Sequence, residues 1–399
     1  FNGLVQLDDQ LNIQPDIAKS WHINDSTYTY TFTLRDDVYF HKNKVFKKDS
    51  TRSVVAQDFV YSFDRLLSPE LASPGSWVFN AVQRYHAAND STLVIQLNKP
   101  FPAFLGLLSM RYCSVVPKEA IAYYGNDFRS NPVGTGPFRF KFWEENVKLV
   151  LRKNPMYFEK DTQGNRLPYL EAVAITFLPD KQSEFLQFAQ GNIDFMTGLD
   201  NSYKDEIITT KGTLQPKYKD RVQLITTPYL NTEYLGFFMG STTKEIASPL
   251  IRQAINYGFD RKKMVTYLRN GMGIAATHGF IPKGLAGFDS IQGYSYNPEK
   301  ARALINTYKQ TTGATSIQVT IGTNSQYLDL CEYIQRELEK LGISIKIDVM
   351  PPATLRQLKS SGELDIFRAS WVADYPDAEN YLSLFYSPNF TPNGPNYTH

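Results

Sequence analysis

Asp365-Ile366-Phe367-Arg368-Ala369-Ser370-Trp371-Val372-Ala373-Asp374-Tyr375-Pro376-Asp377, residues 365–377, decides how the chain is read. An apolar strand, Asp365-Ile366-Phe367, leads directly into a cation, a large aromatic, a carboxylate and a second aromatic. Upstream the pattern alternates. Ile317–Ile321 reads as a strand and about 325–340 as an amphipathic helix, with Gly342 where a C-terminal cap belongs. Ile343–Val349 reads as a second strand and 353–360 as a short helix. This β-α-β-α-β order predicts an α/β domain with the cluster at a strand's carboxyl end, where ligands bind in open sheets of this kind.

The cluster suits a small zwitterion. Asp374 is the candidate partner for an ammonium group and Arg368 for a carboxylate, with Trp371 lying against whatever joins them. A charge-assisted hydrogen bond contributes roughly 1.5–3 kcal/mol where water is excluded, so two such ends can anchor a ligand. The same residues also fit an ordinary strand-to-loop junction with solvated charges. The stretch alone leaves both readings open.

The totals narrow the class. A chain of 399 residues is too long for one core, and two or three domains are expected. Hydrophobic content of 42%, charged content of 21% and a net charge of +2 describe an ordinary globular protein. The densest cationic patch, Lys42-Asn43-Lys44 with Lys47-Lys48, lacks an aromatic ladder and reads as a solvated loop, so nucleic acid is not an expected partner. Tyr (25) and Phe (26) are abundant, which fits large cores and ligand clefts alike. Cys113 and Cys331 lie far apart in apolar contexts and are expected to be buried free thiols. No apolar run reaches the length of a membrane span, and no signal peptide is recognisable. The abrupt start at Phe1-Asn2-Gly3 and stop at Tyr397-Thr398-His399 lead us to expect that both ends are missing.

Further elements read as follows. Residues 1–50 look like strands, above all Tyr28–Leu34, where aromatic or apolar residues alternate with threonine. A helix at about 53–67 is expected, capped by Ser53, with Val54, Val55, Phe59, Phe63 and Leu66 as its apolar stripe. Thr92–Leu97 reads as a strand, and Asn131-Pro-Val-Gly-Thr-Gly-Pro-Phe138 as a dense turn. Strands follow within 138–152 and 172–178, a helix at 181–190, and a strand over Leu230–Phe238. Ser248-Pro249 opens a helix expected to run to Arg269 and stop at Gly271; Asn297-Pro298 opens another, to about 309.

Much chemistry lacks its residues. His22, His41, His86, His278 and His399 share no ligand-type spacing, so structural roles are expected and no metal or cofactor is. The 131–138 turn lacks the spacing and lysine of a phosphate-binding loop, and Pro137 removes a needed donor. Asp374 and Asp377 imitate a glycosidase pair, but Pro376 between them argues against a helix and no nucleophile-base pair accompanies them. Binding without catalysis is the simpler reading.

Six segments, in order, carry a resemblance. They are Gln14-Pro15-Asp16-Ile17-Ala18-Lys19-Ser20-Trp21, Tyr30–Arg35 with Val38-Tyr39-Phe40, and Val55-Ala56-Gln57-Asp58-Phe59-Val60-Tyr61-Ser62-Phe63. Next come Gly134-Thr135-Gly136-Pro137-Phe138 with Arg152–Tyr157, then Ile251–Arg261, and finally Trp371-Val372-Ala373-Asp374-Tyr375-Pro376-Asp377. Together they span nearly the whole chain and resemble the large extracytoplasmic solute-binding proteins of ABC peptide importers, family 5, which includes oligopeptide- and dipeptide-binding proteins. Two departures stand out. The loop His41–Ser53 is longer and richer in lysine than the family's turn, and Pro376-Asp377-Ala378-Glu379 replaces its usual acid-proline step.

The resemblance implies an α/β, two-lobed periplasmic-binding-protein-like fold (type II, the large three-domain variant), truncated at both ends. On that plan residues 1–130 form the smaller lobe, 131–235 part of the lobe that bears the termini, and 236–399 the opposing α/β lobe. It also implies hinge closure around a short peptide held as an added strand, with a membrane permease as partner and a monomeric, non-catalytic, cofactor-free protein. The location would be periplasmic or otherwise extracytoplasmic, with a lipid-carrying Cys of many members falling in a missing front segment. By position in the motif, Asp374 would take the peptide's ammonium and Arg368 its carboxylate, with Trp371 and Tyr375 lining the pocket. Trp77 would face the cleft from the smaller lobe, or else serve the core. Family members that take metal chelates or sugars keep a non-peptide solute open, and a carboxylate-pair hydrolase is the rival from another class.

Overall fold

A computed structural model describes residues 1–47, 50–199, 203–226, 229–392 and 394–398; Lys48 and His399 lie outside the described residues. The chain divides into two compact units, Phe1–Asp194 and Phe195–His399.

In the first unit β1 (Val5–Leu7) pairs with β2 (Ile13–Pro15). Strands β3 (Ala18–Asn24), β4 (Thr29–Leu34), β5 (Val82–Asn89) and β6 (Thr92–Leu97) form an antiparallel sheet in the order β3-β4-β6-β5. The alternation in β4 acts as its period predicts: Tyr30, Phe32 and Leu34 are buried, as are Leu93, Ile95 and Leu97 of β6 beside it. Helix α1 (Ala56–Leu67) packs against this sheet through Phe59 and Phe63, both fully buried, and each such side chain contributes about 1.5–3 kcal/mol. Ser53 does not cap α1. It bridges to Tyr39, and Val55 takes the N-cap position, its N–H bound at 2.9 Å by the carboxylate of Asp58. The strand character expected up to residue 50 ends at Leu34; beyond it only the isolated Tyr39–Ser53 bridge occurs among the described residues. A third sheet, β7 (Phe138–Glu144), β8 (Lys148–Lys153) and β9 (Ala172–Thr176), is followed by α2 (Lys181–Ala189), capped by Asp180, whose carboxylate accepts from the Ser183 N–H at 2.7 Å.

The second unit contains β10 (Asn231–Phe237), β11 (Gln318–Thr323), β12 (Ser344–Val349) and β13 (Ile366–Val372) in the order β10-β13-β11-β12. β11 lies parallel to both β12 and β13, while β10 runs antiparallel to β13. Its longer helices are α3 (Pro249–Tyr257), α4 (Arg261–Leu268), α5 (Pro298–Thr312), α6 (Leu328–Glu339) and α7 (Pro352–Ser360). The predicted β-α-β-α-β run is β11-α6-β12-α7-β13. Ile321, Ile345 and Ile366 of the sheet share a core with Ile251 and Ile255 of α3, Ile305 of α5 and Ile334 and Leu338 of α6.

Two expectations change here. The single helix from 249 to 269 is two helices, α3 and α4, parted at Gly258-Phe259-Asp260. A Cβ at Gly258 would lie 2.3 Å from the Leu338 side chain and 2.9 Å from the Ala254 carbonyl, so the chain turns where α6 comes close. Asp260 then caps α4 by accepting from the Lys263 N–H at 3.0 Å. Pro249 occupies the first turn of α3 as read, though the Ser248 hydroxyl makes no capping bond; Asn297 does cap α5, through the Lys300 N–H at 2.9 Å. Second, the strand before the cluster does not end at Phe367. It continues to Val372, because β10 pairs with it residue by residue from Ile366 to Val372. Arg368 and Trp371 therefore belong to the strand itself, and only residues from Ala373 onward lie past its carboxyl end.

Candidate functional site

Period two along β13 sorts the cluster onto two faces. Ile366, Arg368, Ser370 and Val372 share one face with Glu233, Leu235 and Phe237 of β10; Phe367, Ala369 and Trp371 share the other with Thr232, Tyr234 and Gly236. Arg368 and Trp371, adjacent in the motif, are not brought together. On the Trp371 face a Cβ at Gly236 would lie 2.3 Å from the Phe367 ring, so glycine there makes room for that ring.

Arg368 is 8% exposed. Its guanidinium carbon lies 3.1 Å from the centroid of the Tyr327 ring, on the turn that follows β11, and its Nη2 is in ion-pair contact with Glu233. Nε and Nη2 nevertheless lack hydrogen bonds of acceptable geometry. Burial pulls the guanidinium down to about 10, so it remains a cation at neutral pH. Glu233 is also held from its own strand, accepting from Asn231 Nδ2 at 2.9 Å.

Past the strand, a turn is organised around Asn380, which is 3% exposed. Its Oδ1 accepts from Trp371 Nε1 at 2.8 Å and from the Asp374 N–H at 3.2 Å. The Leu230 carbonyl accepts from the Ala373 N–H at 2.8 Å and from the Tyr381 hydroxyl at 2.5 Å, tying the turn to the start of β10. With its backbone fixed in this way, Asp374 presents an exposed carboxylate. Tyr375 turns inward, 4% exposed, with its hydroxyl on Glu379; burial, then that bond, raise its pKa. Asp377 caps α8 (Ala378–Leu382) by accepting from the Glu379 N–H at 2.8 Å, so Asp374 and Asp377 do not stand as two free carboxylates. Trp77 lies in the first unit, on the short helical turn Ser76–Phe79, and is 37% exposed.

β13 also outruns its neighbour. β11 pairs with it only at Ile366 and Phe367. The bonds of Ala373 to Leu230 and of Phe238 to Asp365 set the antiparallel alternation, which turns the N–H and C=O of Phe367, Ala369 and Trp371 toward β10. Those of Ser370 and Val372 face the opposite edge, where no strand lies among the described residues.

A cavity of about 590 Å³ opens elsewhere in the second unit, at the start of α4 and the 277–296 loop, with Lys262, His278, Asp289 and Tyr294 in its wall. It includes none of the cluster residues. Among the described residues no group of three or more His, Cys, Asp or Glu is placed to hold a metal ion, and no helix is long and apolar enough to cross a membrane. Cys113 and Cys331 are buried free thiols, and burial pushes Cys113 up to about 12. Sequence reasoning missed Glu233, Tyr327 and Asn380. A lone charged residue in the strand Asn231–Phe237 is the one signal that pointed to Glu233; neither Tyr327 nor Asn380 carries any.

The mixed sheet with helical crossovers and a polar cluster past one strand end fits the periplasmic-binding-protein type of solute-binding protein. The chain belongs to the bacterial extracellular solute-binding proteins, family 5 (middle region), whose profile matches residues 12–393. This is the solute-binding family of ABC importers. Heme-binding protein A of Haemophilus influenzae is 28% identical over 404 residues, covering 96% of this chain and 70% of that protein. A glutathione-binding protein of Salmonella typhi is 24% identical over 98% of this chain and 73% of its own length. Among solved structures, an ABC transporter-associated periplasmic binding protein from Helicobacter pylori in complex with the peptide STSA superposes with a TM-score of 0.76 at 26% identity, over 99% of this chain and 77% of that one.

Proposed function

We propose that this chain captures short peptides outside the cytoplasmic membrane, closes around them and delivers them to the permease of an ABC importer. The observation that carries this reading is the open edge of β13 beside Asp374: the backbone groups of Ser370 and Val372 are available to an extended peptide added as a strand. The exposed carboxylate of Asp374, held in place through Asn380, meets the peptide's ammonium. Arg368 supplies the cation for a carboxylate, Trp371 and Tyr375 shape the wall, and Trp77 is the first unit's candidate contact. The peptide bound to the Helicobacter pylori relative supports this ligand class.

A second reading, a non-peptide solute, draws on the heme-binding relative. Native mass spectrometry of protein purified without refolding separates the two. A ladder of short-peptide masses is expected; a single non-peptide mass would overturn the peptide assignment and keep the importer role.

A further inference from the structure

The Nε and Nη2 atoms of Arg368 form one edge of its guanidinium. That edge is more than nine-tenths buried and makes no acceptable hydrogen bond, although Glu233 lies in ion-pair contact with Nη2. Nε and one Nη are the pair of donors that a carboxylate takes side-on with two parallel bonds. Glu233 thus neutralises the charge from the Nη2 end of the edge and leaves Nε without an acceptor. It also has somewhere else to go: its side chain is 42% exposed and keeps a bond to Asn231 Nδ2 at 2.9 Å. Tyr327 covers a face of the guanidinium and offers the edge no acceptor. The two residues are diagonal neighbours on one face of the β10-β13 pair, Glu233 opposite Ser370 and Arg368 opposite Leu235, so a small rotation of the Glu233 side chain parts them.

We propose that Glu233 is a built-in competitor for Arg368, occupying the cation until a ligand carboxylate displaces it and takes the Nε–Nη2 edge with two hydrogen bonds. The inference rests on the peptide reading above and deepens it: Glu233 sets how far a free C-terminal carboxylate is preferred over an uncharged end. In the wild-type chain that preference is small, because the incoming carboxylate replaces one already present. Removing the charge of Glu233 exposes the full preference.

The test is calorimetric titration of the whole chain, wild type and Glu233→Gln, with trialanine and with trialanine amide. E233Q is expected to bind the free acid about tenfold more tightly and the amide within about twofold of wild type. Arg368→Gln should abolish the acid-over-amide difference in both backgrounds. An acid-to-amide ratio unchanged by E233Q overturns the proposal. Sodium acetate, a bare carboxylate, gives an answer that needs no peptide: followed through the Arg368 Nε–H resonance, assigned by its loss in R368Q, it should saturate at about tenfold lower concentration in E233Q. Equal saturation in the two proteins also overturns the proposal. If neither tripeptide binds while acetate behaves as expected, the peptide reading falls and the role of Glu233 stands.

Discussion

Arg52 in the first unit and Arg368 in the second are both drawn out of water over an aromatic ring, and they end in opposite states. Arg52 lies 4.9 Å over Phe40 and makes hydrogen bonds through all three guanidinium nitrogens. Nε and Nη2 donate to Glu119, both at 2.8 Å, while Nη1 and Nη2 donate to Asp58, both at 2.7 Å. Burial alone would lower its pKa, but the bonds to Asp58 and Glu119 outweigh it and hold the guanidinium above its usual value. Arg52 in turn pulls the Glu119 carboxyl down. Arg368, with unmet donors, is lowered by burial. The contrast separates a charge whose hydrogen bonds are met within its own unit from one whose donors stay unmet. Arg52 is closed by carboxylates of its own unit; Arg368 keeps unmet donors on the strand where the family motif lies.

The strongest way to break this comparison is to remove the cation from the closed cluster. Arg52→Met leaves Asp58, 5% exposed, without its cation, and should destabilise the first unit by about 3–5 kcal/mol in a urea melt. A loss under about 1 kcal/mol would show that the cluster does not hold α1 in place.

His41 tests the same closure through pH. Its Nε2 lies 2.9 Å from the Gly136 carbonyl and its Nδ1 accepts from the Gly134 N–H at 3.4 Å, and burial lowers its pKa to about 4. The unfolded chain therefore binds a proton between pH 6.5 and about 4 that the folded chain does not. The contribution of His41 to stability should be full above pH 6.5 and fall as pH drops through that window, by up to about 1.4 kcal/mol per pH unit. His41→Gln should flatten that part of the profile, and an unchanged slope would assign it to other groups.

On the open side, Asp374→Ala should weaken peptide binding by about 1–3 kcal/mol with no change in melting temperature, since only the Asp374 backbone takes part in the turn. Unchanged affinity by titration would end the ammonium-anchor role. The smallest effect on stability is expected at Arg368 itself. Arg368→Met removes a buried cation with unmet donors and leaves Glu233, partly in water, so stability should shift by less than about 1 kcal/mol either way. A loss as large as that of Arg52→Met would mean that the two arginines do the same work.

What could be read along the chain was local. The alternation of Tyr30, Phe32 and Leu34, Pro249 in the first turn of α3, the Asn297 cap and the β11-α6-β12-α7-β13 order each depend on residues a few places apart, and sequence carries such signals directly. The family motif likewise located Asp374, because the turn that exposes it is closed by Asn380 six residues on. Tertiary structure decided the rest. Ser53 lost its cap role because it bridges to Tyr39, and Val55 stands at the N-cap of α1 instead. The need for glycine at 258, between α3 and α4, comes from Leu338, far along the chain. Arg368 and Trp371 parted to opposite faces once β10 extended β13 to Val372, and Glu233 and Tyr327 reached Arg368 from separate elements. Sequence by itself set the elements and the residues that end them, because those are short-range choices of backbone and cap. Which side chains meet, and which buried donors stay unmet, depends on pairing between distant strands, and no local pattern encodes that.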